Sequence, residues 1–305
     1  MTSPRVAIAP RPASFALDAV KSGGGTVVGV DERPEALVWL GGDMGELADL
    51  LADSHDLRWV QLPSAGIERV VEAGLLDDRF TWTCAKGAYA EPVAEHALTL
   101  ALAGLRQLTE RIPAHSWGEQ AATSLYDQRV TILGAGGISM ALLELLAPFR
   151  VHTTVVRRSP EALPGASRTV TLPGLGDALS GSLVVFLALA LSPETTGIIG
   201  PAELDAMDER SWLVNVARGR HVRTDPLVEA LRGRSIAGAA LDVTDPEPLP
   251  DGHPLWDLPN CIVTPHTADT TEMVTPLLAG RIRTNVAHYA AGNGLVGLVD
   301  PHAGY

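Results

Sequence analysis

Short aliphatic and β-branched runs recur along the chain between Pro, Gly and Asp. Val6-Ala-Ile-Ala9, Thr26-Val-Val-Gly-Val30, Ala36-Leu-Val-Trp-Leu40 and Leu57-Arg-Trp-Val-Gln-Leu62 each read as a buried strand. Segments such as Gly45 to Ala52 have helical spacing between them. Strands alternating with helices at this interval predict a mainly parallel sheet covered on both faces. From Pro92 the run Pro-Val-Ala-Glu-His-Ala-Leu-Thr-Leu-Ala-Leu-Ala-Gly-Leu-Arg-Gln-Leu predicts a long helix, apolar on most faces, with Pro in its first turn.

A second series of strands then begins at Arg129 to Leu133 and continues through Val151 to Val156, Leu183 to Leu189, Ser211 to Val216, Ile236 to Asp242 and Cys261 to Thr264. Six strands suit a complete dinucleotide-binding domain. Thr271 to Ala291 is helical again, and the Gly-rich ending from Gly292 to Tyr305 is expected to pack back on the first unit. The expected fold is therefore α/β, with two Rossmann-like doubly wound parallel-sheet domains. A flavodoxin-like, discontinuous substrate domain would comprise residues 1–95 and 273–305, and an NAD(P)-binding domain residues 96–272.

The length of 305 residues and the 46% hydrophobic content can fill two cores. Lys and Arg number 23 against 36 Asp and Glu, a net charge of −13, which argues against nucleic acid or an anionic membrane as partner. It would also repel a small carboxylate substrate, so such a substrate needs a local basic group. Cys84 and Cys261 stand far apart without a Cys/His cluster, so neither a disulfide framework nor a metal site is indicated. The N-terminus lacks a secretory pattern, and the longest apolar stretch, Leu183 to Leu191, is far shorter than the about 20 residues that cross a bilayer. A cytoplasmic protein is expected.

The first strand of the second series runs into Gly134-Ala135-Gly136-Gly137-Ile138-Ser139 and then into a helix-forming stretch. Strand, Gly-rich turn and helix in this order form a dinucleotide fingerprint: Gly134 for the tight turn, Gly136 for close approach to a pyrophosphate, the helix N-terminus for its charge. Ser139 stands where Gly or Ala is usual, which could loosen the fit. The next strand should end in the acid that binds an NAD ribose, but Arg157, Arg158 and Ser159 follow it. Guanidinium groups and a hydroxyl favour a 2′-phosphate, hence NADP, with NAD left open and two solvated arginines as the alternative.

Arg218 follows the strand Trp212 to Val216, Asp242 ends the next, Glu247 lies in a Pro-rich loop and His266 follows the last strand across Pro265. Ligands of open α/β sheets bind beyond such strand ends. Asn215-Val-Ala-Arg-Gly219, Leu241-Asp-Val-Thr-Asp-Pro-Glu-Pro-Leu-Pro250 and Thr264-Pro-His266 resemble, in order and spacing, the signature segments of the D-isomer-specific 2-hydroxyacid dehydrogenases. Pro193 to Gly197, Val93-Ala-Glu95 and Ser64-Ala65-Gly66 extend the resemblance over nearly the whole chain.

The resemblance implies a catalytic trio. Arg218 would grip the substrate carboxylate and polarise its neighbouring carbonyl, His266 would exchange a proton with the carbonyl oxygen, and Glu247 would orient the imidazole and favour its protonated form. A histidine's ordinary pKa of about 6.5 suits both directions. It further implies that Ala217 and Asp242 line the cofactor, with Asp242 facing the nicotinamide carboxamide, and that Ser64, Ala65 and Gly66 join Arg218 and His266 on the substrate in a cleft between the domains. A homodimer formed through the helix from Pro92 and the segment around Trp117 is implied as well. A small 2-keto acid such as glyoxylate or hydroxypyruvate is the expected substrate.

Formate dehydrogenases are similar but carry an amide where Glu247 stands, which disfavours hydride transfer without a proton. Ala190-Leu-Ser192 replaces the usual Pro-Leu-Thr, and Asp269 stands where Gly is frequent. Two alternatives remain open. One is a phosphoglycerate dehydrogenase without its regulatory extension, for which Lys86 is the one basic residue near the Ser64 loop. The other is a non-catalytic dinucleotide sensor.

Overall fold

The computed structural model describes residues 3–301. Residues 302–305 of the expected C-terminal packing segment lie outside that range. In chain order the elements are β1 (Arg5–Ala9), α1 (Ser14–Ser22), β2 (Thr26–Val28), β3 (Ala36–Trp39), α2 (Met44–Asp53), β4 (Trp59–Gln61), α3 (Glu68–Glu72) and β5 (Thr81–Thr83). Then come α4 (Ala90–Leu105), α5 (Leu108–Arg111), β6 (Arg129–Leu133), α6 (Gly137–Leu146), β7 (His152–Val156), β8 (Arg168–Val170), α7 (Leu175–Leu179) and β9 (Val184–Leu187). The chain finishes with α8 (Pro201–Ala206), β10 (Trp212–Asn215), α9 (Thr224–Gly233), β11 (Gly238–Leu241), β12 (Cys261–Val263) and α10 (Thr271–Ala291), the last matching its expected bounds.

Two compact units result. One ends at Tyr89 and resumes at Thr270, and the other runs from Ala90 to Asp269. The divisions differ from the expected 95/96 and 272/273 by a few residues. At the first, α4 starts at Ala90, two residues before Pro92, and falls wholly in the second unit.

The first unit is built on a parallel sheet in the order β2-β1-β3-β4-β5, the flavodoxin-like arrangement. Strands β3 and β4 are buried along their whole length, as sheets covered on both faces require. The sequence pattern missed β5, because Thr81-Trp-Thr83 is a three-residue edge strand with polar residues at both ends.

A buried polar network ties α10 to this sheet. Asn285 Nδ2 donates to Gln61 Oε1 and to the Val296 carbonyl, while its Oδ1 accepts the Val296 N–H at 2.8 Å. Thr83 Oγ1 donates to the same Gln61 oxygen and accepts from the Trp59 indole at 2.7 Å. The segment after α10 then lies along β5 through Cys84 N–H to Gly297 O and Val299 N–H to Trp82 O.

The second unit holds a parallel sheet in the order β12-β11-β10-β9-β6-β7-β8. It has seven strands where six were expected. The additional one, β8, is a three-residue edge strand, half exposed and paired only with β7, too short to stand out as an apolar run. The order reverses direction between β6 and β9, where open sheets of this kind leave a crevice. Registers are level at this end of the sheet: Leu133 pairs with Leu187, Leu187 with Asn215, Asn215 with Leu241 and Leu241 with Val263. Residues just beyond these five positions are thereby brought to one edge.

Replacing Asn285 by Ala removes one of the two donors to the buried Gln61 oxygen and leaves the Val296 N–H without its acceptor. Asn285→Ala is expected to destabilise the first unit by about 2–3 kcal/mol, read as a lowered midpoint of urea unfolding. An unchanged midpoint would show that the network contributes nothing to holding α10.

Candidate active site

The strand-end line begins with the turn after β6. Gly134 has φ +110°, and a Cβ there would lie 2.2 Å from the Ala188 carbonyl oxygen, so only glycine permits this approach. Its N–H donates to Val156 O at 2.8 Å. Gly136 is exposed, and no heavy atom comes within 4 Å of where its Cβ would stand. No side chain caps the first N–H groups of α6, which leaves a ten-residue helix with its positive end toward open space. These features fit a dinucleotide pyrophosphate. Ala135 and Ile138 are half-buried beside the turn and Gly137 is exposed. Ser139 is fully buried and its Oγ has no partner among the described residues. The hydroxyl thus fits sterically, at a desolvation cost of about 1–3 kcal/mol.

Arg157, Arg158 and Ser159 directly follow β7. The Arg157 N–H is tied to Val170 O at 3.0 Å, and Ser159 Oγ accepts from the Glu161 N–H. Arg158 is exposed, and its charge reaches Glu194, whose carboxyl is held below the ordinary range first by the Ser192 hydroxyl.

After β10, the fully buried Asn215 shapes the turn that carries Arg218. Its Oδ1 accepts the Ala217 N–H at 3.1 Å and its Nδ2 donates to the Arg218 carbonyl at 2.9 Å. Arg218 is half-buried and its Nη1 donates to Ala217 O at 2.7 Å. At Gly219 a Cβ would fall 1.9 Å from the Thr244 carbonyl oxygen. Only glycine therefore lets the loop after β11 lie against this turn, and that loop carries Glu247.

Glu247 Oε1 is 2.7 Å from His266 Nδ1, the two side chains 42% and 46% exposed. The imidazole Nε2 is left for another partner. His266 has φ +49°, a left-handed conformation that costs a non-glycine residue about 1–3 kcal/mol. Its N–H is bonded to the Asp242 and Thr264 carbonyls at 2.9 and 3.0 Å.

Asp242, 2% exposed, anchors this bend. Oδ1 accepts from Thr264 Oγ1 at 2.6 Å and from the Thr267 N–H at 2.9 Å, Oδ2 accepts from the Ala268 N–H at 3.1 Å, and His96 Nε2 lies 3.3 Å from Oδ1. Burial raises the Asp242 pKa, but these donors outweigh it and hold the carboxyl at about 2. Asp269 lies near the same charges. Burial pushes its carboxyl up, against the opposing pull of His266 and Arg218, and the Asp242 charge adds to the rise.

Arg218, Glu247 and His266 are thus brought to one edge of the second unit, with the glycine turn on the same edge. The Ser64–Ala65–Gly66 loop belongs to the first unit, between β4 and α3; Ser64 Oγ donates to Gly66 O at 2.6 Å, and Ala65 O accepts from Cys84 Sγ. Both cysteines are free, and burial pushes the Cys261 thiol up to about 12, away from any nucleophilic use. Sequence reasoning gave no role to His96, to His221 or to the Thr264 hydroxyl; His96 and Thr264 contact Asp242, and His221 contacts Arg218. Signals existed: His96 directly follows the Val93-Ala-Glu95 motif, and His221 stands three residues after Arg218.

A doubly wound sheet, a glycine turn opening a helix, and an arginine beside a carboxylate–histidine pair define a protein of the dinucleotide-binding oxidoreductase class. Residues 96–268 match the family model for the NAD binding domain of D-isomer specific 2-hydroxyacid dehydrogenases, and the chain belongs to that family. It is 38% identical over 293 residues to an uncharacterized protein encoded in the proB 3′ region of Corynebacterium melassecola, covering 94% of this chain and 95% of the relative. It is 28% identical to glyoxylate/hydroxypyruvate reductase A of Serratia proteamaculans, covering 90% and 89%. The crystal structure of a D-isomer specific 2-hydroxyacid dehydrogenase from Xanthobacter autotrophicus Py2, in complex with NADPH and MES, superposes with a TM-score of 0.87 at 27% identity over all of both chains. Family membership makes the chain an NAD(P)-dependent oxidoreductase of 2-hydroxy and 2-keto acids. Among the described residues, no helix is long and apolar enough to cross a membrane.

Because the folded Asp242 carboxyl sits at about 2 against an ordinary 3.8, its contribution is complete above the ordinary value and is lost as pH falls toward 2. Urea unfolding across pH is expected to show about 2 kcal/mol lost between about pH 5 and pH 2, and Asp242→Asn to flatten that limb while lowering stability at pH 7. A variant retaining the wild-type acid limb would assign the titration to another group.

Proposed function

We propose that this protein reduces a small 2-keto acid to the D-2-hydroxy acid, with glyoxylate or hydroxypyruvate as substrate and NADPH as reductant. The observation that carries the reading is the 2.7 Å Glu247–His266 pair at the strand-end edge that also carries Arg218. Arg218 binds the substrate carboxylate through its planar fork and draws charge from the adjacent carbonyl. Glu247 accepts the Nδ1–H of His266, which fixes the ring and presents Nε2 to the carbonyl oxygen; a proton moves from Nε2 to that oxygen in reduction and back in oxidation. The nicotinamide, when bound, supplies the hydride.

Gly134 to Ser139 would hold the pyrophosphate against the start of α6, with Ala217 and Asp242 beside the cofactor. Arg157, Arg158 and Ser159 would hold a 2′-phosphate. The NADPH in the Xanthobacter structure and the reductase name of the Serratia relative support this reading. The first unit is read as the substrate domain, its Ser64, Ala65 and Gly66 backbone adding donors to the carboxylate. Two free cysteines fit a reducing, cytoplasmic setting.

A panel of 2-keto acids with NADPH and NADH tests the whole reading. Glyoxylate or hydroxypyruvate is expected to be reduced with NADPH preferred, and His266→Ala to lower kcat at least 100-fold. NADPH binding with no keto acid turned over would support a sensor instead, and a preference for NADH would make Arg157 and Arg158 mere surface charges.

A homodimer belongs to the same proposal. The segment after α4 exposes Ile112 (79%) and Trp117 (91%), large apolar side chains that a lone chain would leave in water. Sedimentation is expected to give a dimer, and the double variant Ile112→Ser with Trp117→Ser to shift it to monomer. A monomeric wild type would refute this part.

A further inference from the structure

His221 is a fully buried titratable side chain that the reaction above leaves without a task. We propose that it is a positioning residue that fixes the backbone of Arg218 relative to the glycine turn of the cofactor site. It lies in the single turn Gly219–His221 that follows Arg218. The imidazole Nδ1 accepts the backbone N–H of Arg218 at 3.2 Å, and Nε2 lies 3.4 Å from the carbonyl oxygen of Ala190. A ring nitrogen that accepts a hydrogen bond carries no proton, so the proton is on Nε2 and points at an acceptor. Both contacts require the same neutral tautomer.

The two peptide planes that flank Arg218 are therefore each held by a side chain. Asn215 Nδ2 takes its carbonyl and His221 Nδ1 takes its N–H, with Arg218 extended between them at φ −142° and ψ 144°. The direction of the Arg218 Cα–Cβ bond follows from those two bonds, and the Nη1 bond to Ala217 O holds the guanidinium in turn. An aliphatic side chain could fill the volume of His221, but it would give the Arg218 N–H no acceptor.

The other end of the imidazole reaches the cofactor side. Ala190 stands two residues after Ala188, whose carbonyl oxygen is the atom that a Cβ on Gly134 would strike. The segment from Ala188 to Ala190 thus backs the phosphate turn and holds His221 as well. Reduction requires the keto carbon to meet the hydride donor within a few tenths of an ångström. The carboxylate anchor must accordingly be in register with the cofactor turn, and His221 supplies the side-chain link between them.

The inference rests on Arg218 being the carboxylate anchor, so its test reads substrate and cofactor separately. Wild type, His221→Leu, His221→Asn and His221→Gln are compared for glyoxylate kinetics with NADPH and for NADPH affinity by fluorescence titration without keto acid. Asn can place an acceptor near the former Nδ1, whereas Gln reaches toward Ala190 and leaves the Arg218 N–H unmet. Leu and Gln are expected to raise the glyoxylate KM about 10-fold with NADPH affinity within twofold of wild type, and Asn to recover most of the loss. Should the Leu variant not fold, the Asn and Gln pair gives the same contrast.

A KM within twofold of wild type in Leu and Gln, an NADPH affinity that falls as far as the KM rises, or an Asn variant no better than Gln would overturn the inference. Wild type that turns over no keto acid would remove the functional reading and this inference with it. Active wild type with indifferent variants would remove this inference alone.

Discussion

At the end of β11 a carboxylate has been taken almost wholly out of water and given a ring of donors in exchange. Asp242 takes the hydroxyl of Thr264 and the N–H groups of Thr267 and Ala268, with His96 beside it. Those donors come from both sides of His266 and bend the chain tightly enough to hold that residue at φ +49°. The Glu247–His266 bond could not impose this geometry, since an ion pair exposed on both sides contributes only about 0–1 kcal/mol. Position comes from the buried carboxylate. The exposed pair supplies the ring orientation and leaves Nε2 open to a ligand.

Much of this was legible in the sequence because the edge-forming residues follow apolar strands that announce themselves. Arg218, Glu247 and His266 each stand just beyond a run whose end can be read, and parallel pairing with level registers does the rest. What escaped were features with no periodic signal. β5 and β8 are three-residue strands at the sheet edges, β8 held by β7 and β5 by β4 and the segment after α10, pairings that the pattern does not show. His96 and His221 act through contacts with residues 168 and 31 positions away, which no local spacing reveals. The resemblance gave Asp242 a place at the cofactor; the four protein donors around its carboxylate belong to tertiary structure.

Charge works at two ranges here. The net charge of −13 disfavours anionic ligands at a distance, whereas Arg218 lies beyond the end of β10, Arg157 and Arg158 beyond that of β7, and the N-terminus of α6 after β6 adds a partial positive charge. Long-range repulsion is screened over about 8 Å at physiological ionic strength, so the nearest charged groups govern what a small anion meets on arrival. Asp269 works in the other direction: its half-buried carboxyl lies within the field of both Arg218 and His266, and burial holds its pKa up against their pull.

Two backbone contacts explain how such a site can keep its geometry while its surroundings vary. Gly134 lies against the Ala188 carbonyl and Gly219 against the Thr244 carbonyl, each so closely that no Cβ fits. The loops after β6 and β9, and those after β10 and β11, therefore interlock main chain to main chain. Side chains on the exposed parts of those loops can change without moving the glycine turn, Arg218 or Glu247. The geometry of the strand-end edge then belongs to the interlocked backbone and its few buried clasps, and not to the side chains exposed outside them. That separation is why residues that name a reaction class so clearly in the sequence say so little about the substrate.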